Sequence, residues 1–179
     1  MKKVKGIKMK GFEKVERNLD KALKELELNT NKGLREVGEN VLESADNISP
    51  KIPVSDDPNS KGDLRRSRFV VDSRGKVSMG KRPYFKKPEM ISDHQAVIDY
   101  AYGTIKRYNM AVAFGFTADY SVYTHEMGIA VKPEASPINW TRPGSGPKYF
   151  QAAIGRTTDA IKIIAKHNRI EKGKPGFSY

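Results

Sequence analysis

The chain has 179 residues, with 33 Lys plus Arg against 21 Asp plus Glu, a formal net charge of +12, one Trp and no Cys. The missing Cys excludes a disulfide framework, cysteine-based zinc sites and thiol catalysis. Apolar residues make up 37% of the chain, which argues for one folded domain with a thin core rather than for disorder.

The charge is unevenly spread. Lys2, Lys3, Lys5, Lys8 and Lys10 open the chain; Lys61, Arg65, Arg66, Arg68 and Arg74 form a second group; Lys162, Lys166, Arg169, Lys172 and Lys174 close it. Residues 13–46 are mixed and near neutral. Such an excess favours polyanions or acidic protein surfaces as partners. The basic start is not followed by a long apolar run, so it does not read as a secretory signal. The longest apolar stretch, around Met110 to Phe116, is far short of a membrane span. Asn47-Ile48-Ser49 and Asn139-Trp140-Thr141 match the glycosylation pattern by chance on this reading.

Phe12, Val15, Leu19, Ala22 and Leu26 recur at alternating steps of three and four, which places them on one stripe of a helix. Val37, Val41 and Ile48 continue it in phase, so the spacing predicts one long helix over about residues 12–47. An αα-hairpin broken at Asn29 to Gly33 is the alternative, since Gly costs about 1 kcal/mol relative to Ala inside a helix. Pro50, Pro53 and Pro58 then make a loop. From Leu64 the residues alternate, with Arg66, Arg68, Val70 and Asp72 facing one way and Arg65, Ser67, Phe69 and Val71 the other, which predicts a strand with one half-buried side. Arg74-Gly75 turns it into a partner strand at Val77 and Met79.

Residues 81–108 read as an insertion interrupted by Pro83 and Pro88, in which Ile91 to Tyr108 forms either a short helix or an irregular excursion. Met110 to Phe116 alternates large residues with Ala and Gly and predicts a buried strand. Phe150, Ile154, Thr157, Ile161 and Ile164 predict a last helix over about 147–167, with Pro147 at its first position. The expected architecture is α+β, a long N-terminal and a C-terminal helix on a small antiparallel sheet, in a single domain over 1–179 with flexible basic ends at 1–10 and 168–179.

Catalytic patterns fail on spacing. His125-Glu126 lacks the second His that a zinc protease helix needs, because position 129 is Ile. His94 and His167 have no ligand neighbours in sequence and read as surface histidines. Gly144-Ser145-Gly146 fits neither a nucleophile elbow nor a phosphate loop, and Asp56-Asp57 is a solvated turn. No enzyme activity, metal or cofactor is expected.

Three segments taken together carry a resemblance. Pro53 followed by Gly62-Asp63-Leu64-Arg65-Arg66-Ser67, then Tyr120-Ser121-Val122-Tyr123-Thr124-His125-Glu126-Met127-Gly128, then Trp140 with Pro143-Gly144-Ser145-Gly146-Pro147-Lys148-Tyr149-Phe150, resemble in order the signatures of the minor head-tail joining, or tail-completion, proteins of long-tailed bacteriophages. The resemblance spans most of residues 12–165. The chain departs from the family at Ser55 to Lys61, where the usual turn is tighter, and at 81–108, where the connection is usually shorter.

The resemblance implies a non-enzymatic virion protein of the neck, made in the bacterial cytoplasm. It would form a homo-oligomeric ring, a hexamer by the six-fold symmetry of tails, between portal or adaptor-side connector proteins and the tail terminator or tail tube. Gly62 would launch the strand, Leu64 and Phe69 would pack on the long helix, and Arg65, Arg66 and Arg68 would face another chain. Tyr120, Tyr123 and Glu126 would sit on a short helix ended by Gly128, with Glu126 either a surface carboxylate or the partner of an intersubunit Arg. Trp140 would plug the core or anchor a neighbour, and Phe150 would anchor the final helix. The basic arms, including Lys166, Arg169, Lys172 and Lys174, would grip acidic neighbours or face DNA in the channel. Two other readings remain at this level: a DNA- or RNA-binding protein, supported by the +12 charge, and a hydrolase using His125 and Glu126.

Overall fold

The structure, a computed structural model, describes residues 11–55, 57–81, 83–90, 93–126 and 142–169. Helix α1, Phe12–Asn47, is a single unbroken helix of 36 residues, about 54 Å long at 1.5 Å per residue, so the hairpin alternative does not apply. A short helical turn, α2 (Asp63–Arg66), leads into strand β1 (Arg68–Asp72), which pairs antiparallel with β2 (Val77–Met79) on one side and β3 (Val112–Phe116) on the other. Helix α3 (His94–Ile105) lies between β2 and β3 in sequence, and α4 (Ser121–Glu126), α5 (Tyr149–Arg156) and α6 (Ala160–His167) follow β3. The described residues form a mixed α+β fold.

The sheet is sandwiched. The register Val70 to Phe114 and Arg68 to Phe116 sets one face against α1, where Phe114 and Phe116 also meet the ring of Phe150 at 5.9 and 5.6 Å. On the other face, Phe69 and Val71 pack with Ile98 of α3. With both faces covered, Phe69 to Asp72 are all buried, not half-buried as alternation predicts. Residues 81–108 are therefore integral, because α3 closes the second face. Phe69 packs on that side and not on α1, whereas Leu64 joins the α1-side core with Val41, Ala45, Ile52, Tyr149 and Ala153.

Three further expectations are corrected. The strand begins at Arg68 rather than Leu64: Gly62, left-handed at φ 88°, launches a helical turn. The fully buried Asp63 holds that turn by accepting the backbone N–H groups of Lys86 at 2.9 Å and Lys87 at 2.8 Å. Strand β3 is only half-buried along its length. The last helix is two: the Thr157 hydroxyl takes the Ala153 carbonyl at 3.0 Å and its backbone leaves the helical region, a competition to which Thr is prone. Helix α5 starts at Tyr149, so Pro147 precedes it by two residues.

Glycines set the close approaches of α1. A Cβ on Gly38 would lie 3.2 Å from both Phe114 and Val70, and one on Gly33 would lie 2.9 Å from the Cα of Ile164 in α6. The second contact is backbone, which cannot step aside. Gly33→Ala is expected to lower stability by about 1–3 kcal/mol despite its higher helix propensity. Gly103→Ala in α3, where nothing lies within 4 Å, is expected to raise it by up to ~1 kcal/mol. Urea unfolding midpoints of the two variants should move in opposite directions.

Candidate functional site

Helix α1 has two unlike halves. Every residue from 11 to 26 is exposed, including Phe12 at 62%, Val15 at 63% and Leu19 at 59%, with Leu23 and Leu26 also open. The predicted apolar stripe is real, yet nothing in the described residues covers it. The buried positions lie further on and are largely not aliphatic: Asn31, Gly33, Arg35, Gly38, Val41, Leu42, Ala45 and Asp46. Ile48, expected on the stripe, is exposed beyond the helix end. A row of large apolar side chains of this extent reaches the few hundred Å² that monomers ordinarily leave open, and marks an interaction surface.

The second half of α1 is seated by charge. Asp46 is 4% exposed and meets Arg65 at 2.5 Å, Arg142 at 2.6 Å and Arg68 at 3.5 Å. Arg142 also donates to the Asp46 carbonyl at 2.7 Å and Arg68 to the Leu42 carbonyl at 3.3 Å. Arg156 donates to the carbonyls of Ser44, Ile48 and Ser49. Arg142 and Arg156 thus supply donors to carbonyls in and just past the last turn of a helix whose own last turn carries no base. About three turns earlier on the helix, Arg35 pairs with Asp72, which is buried and also accepts the backbone N–H groups of Arg74 and Lys76 in the hairpin turn. The predicted face of Arg68, Val70 and Asp72 is thus the face against α1.

This corrects the expectation for the arginines. Arg65 and Arg68 are bound to Asp46, and Arg66 pairs with Asp63 at 2.9 Å, so their charges are committed inside the chain. Three guanidinium groups around one carboxylate leave a surplus of donors, and the buried Nε of Arg65 has no acceptor. Burial tends to raise the Asp46 carboxyl, but the hydrogen bonds from Arg65 and Arg142 prevail and hold it below the ordinary value.

On α4, Tyr123 and Val122 are exposed, whereas Tyr120, expected on this helix, lies in the turn just before it and packs against the core. Burial, with Asp63 and Tyr149 nearby, pushes the Tyr120 hydroxyl up to about 12. Glu126 pairs with Lys148, which holds its carboxyl below the ordinary range. His125 sits edge-on to the rings of Tyr149 and Phe150 at 5.1 and 6.4 Å, and burial lowers its pKa. Its Nε2 is 3.8 Å from Glu126 and its Nδ1 has no partner, so the pair lacks the aligned contact of an acid–base couple.

His94 and His167 are not merely surface groups. The first ring lies 2.6 Å from both the Thr117 hydroxyl and the Gly80 carbonyl, and the second 2.6 Å from Glu36. Lys166 and Arg169 are exposed. Lys2, Lys3, Lys5, Lys8, Lys10, Gly128, Trp140, Lys172 and Lys174 lie outside the described residues.

Among the described residues, no group of three or more His, Asp or Glu could hold a metal, and no helix is long and apolar enough to cross a membrane. No family model, no curated protein and no solved structure matches the chain.

Asp46→Asn should cost about 1–3 kcal/mol, because it removes the buried charge that three partly exposed arginines share. The Asp46 carboxyl is lowered on folding, so its stabilisation is fully present above the unfolded value near ~4 and is lost as pH falls through the lower folded value. Thermal unfolding followed down through that range should therefore show a flatter acid limb in Asp46→Asn than in the wild type.

Proposed function

We propose that the protein is a structural subunit of the phage head-tail junction, a neck or tail-completion protein without enzymatic activity. The observation that carries this reading is the outer half of α1, an apolar row that nothing among the described residues covers and that suits a protein partner. The order of a long helix, a small antiparallel sheet and closing helices supports it. So does the commitment of the basic cluster at 65–68 to internal pairs, which removes the strongest sequence argument for a dedicated polyanion site there. In this role the chain joins a ring, a hexamer by the symmetry of tails, between the connector and the tail terminator or tube. Antibody against the chain should label the junction between head and tail in purified virions. Particles lacking it should separate into DNA-filled heads and free tails. Its absence from virions would sink the reading.

A second reading, nucleic-acid binding, is favoured by one feature. Lys24, Arg74, Lys106 and Tyr108, together with the carboxylates of Glu25 and Glu27, line an open groove of about 580 Å³ at the end of the sheet, with Arg107 stacked 4.9 Å over the Tyr108 ring. Exposed cations beside an aromatic suit phosphate contact and base stacking. Under this reading Arg74→Glu with Lys106→Glu weakens duplex or single-strand binding at least tenfold and lowers the salt slope by about 2; titrations at several salt concentrations decide it.

A further inference from the structure

The row on the outer half of α1 has a period and a charge that specify what covers it. Phe12, Val15, Leu19, Ala22 and Leu26 step by three and four, the 3.5-residue repeat of a seam between paired helices, and Leu23 widens it. The row is not the outward continuation of the surface that α1 lays on the sheet. Asn31, Arg35, Gly38, Leu42 and Ala45 lie about a third of a turn round the helix from it at 3.6 residues per turn. It is instead in line with Gly33, the position at which α6 packs on α1. From Gly33 onward that face is taken by a helix of the same chain; before it, the face is open.

We propose that a second copy of the chain covers it, α1 residues 12–26 of one copy packing along the same segment of another. The proposal rests on reading the protein as an assembly subunit and names the contact. Charge selects the occupant. Two chains of +12 repel over most of their surface, but residues 12–28 carry Glu13, Glu16, Asp20, Glu25 and Glu27 against Lys14, Arg17, Lys21 and Lys24. The segment is near neutral with both signs interleaved, so a like chain meets no net field there. A strongly acidic partner, which the rest of the surface would welcome, finds nothing on this segment to select it. Two such rows face to face remove on the order of 1,000 Å² from water, the lower bound for a specific interface.

The chain has no Cys, so Leu19→Cys introduces a single thiol on the row and Lys24→Cys a single thiol on the opposite side of the helix. Under mild oxidation the Leu19→Cys protein should run as a covalent dimer and the Lys24→Cys protein should not. Light scattering of the wild type should give at least twice the chain mass. Val15→Glu with Leu19→Glu should bring it down to one, with the near-ultraviolet circular dichroism of the folded body kept, because these side chains do not touch that body. A wild type of single-chain mass at all concentrations, as expected if residues 170–179 or a different protein cover the row, overturns the proposal. So does equal cross-linking at positions 19 and 24. A dimer that is absent from virions would leave the helix pairing standing and remove the neck assignment; a virion protein that is monomeric in solution would do the reverse.

Discussion

One buried carboxylate fixes how this chain is put together. Asp46, near the end of α1, gathers Arg65 from the turn before the sheet, Arg68 from the central strand and Arg142 from the segment before α5. Arg65 and Arg68 are neighbours in the chain, whereas Arg142 comes from more than seventy residues later. Taking them partly out of water is costly, and the shared carboxylate offsets that cost, while Arg142 also donates to the Asp46 carbonyl and Arg68 to the Leu42 carbonyl of α1. The Arg35 to Asp72 pair repeats the arrangement at the other end of the seat, with Gly38 between them letting the helix down onto Val70 and Phe114. The sheet, the hairpin turn and the closing helices are all positioned from this helix.

That seat uses only part of α1. From about Asn31 onward the helix belongs to the core, whereas the first half stands outside it with its best apolar residues uncovered. A chain with a modest apolar fraction has thus placed Phe12, Val15, Leu19, Leu23 and Leu26 where they contribute nothing to its own core, and has built its central contact from glycines and ion pairs instead. This division is what the proposed role as an assembly part would use. It also changes the meaning of the net charge, since the central arginines are structural and the exposed cations among the described residues include Lys166, Arg169 and those beside the α3 to β3 corner.

Much of the fold was legible from residues. The continuous helix over 12–47 followed from two stripes in phase, and the turn at Arg74-Gly75 and the strand near Met110 to Phe116 from local chemistry. The alternation of Arg68, Val70 and Asp72 was also readable, but its direction was not. Charged residues on a strand ordinarily face water, and only the presence of Asp46 and Arg35 on α1 turns that face inward. The start of β1 shifted because Asp63 is pinned by backbone groups more than twenty residues later. The last helix splits at Thr157, where the backbone leaves the helical region and the hydroxyl donates back to the Ala153 carbonyl. Arg142 and Arg156 gave no local signal, since their partners are carbonyls and a carboxylate about a hundred residues away.

The sequence by itself determined the class of fold, the long helix and the row of apolar residues along its first half, because helix periodicity is a property of neighbours within a few residues. It also ruled out disulfide and thiol chemistry by composition alone. Only the tertiary structure decided that this row is left uncovered while a set of glycines and charged residues becomes the seat. Whether a side chain is buried depends on what the distant parts of the chain bring to it, and here the described residues bring their arginines to the far half of the helix and leave the near half open.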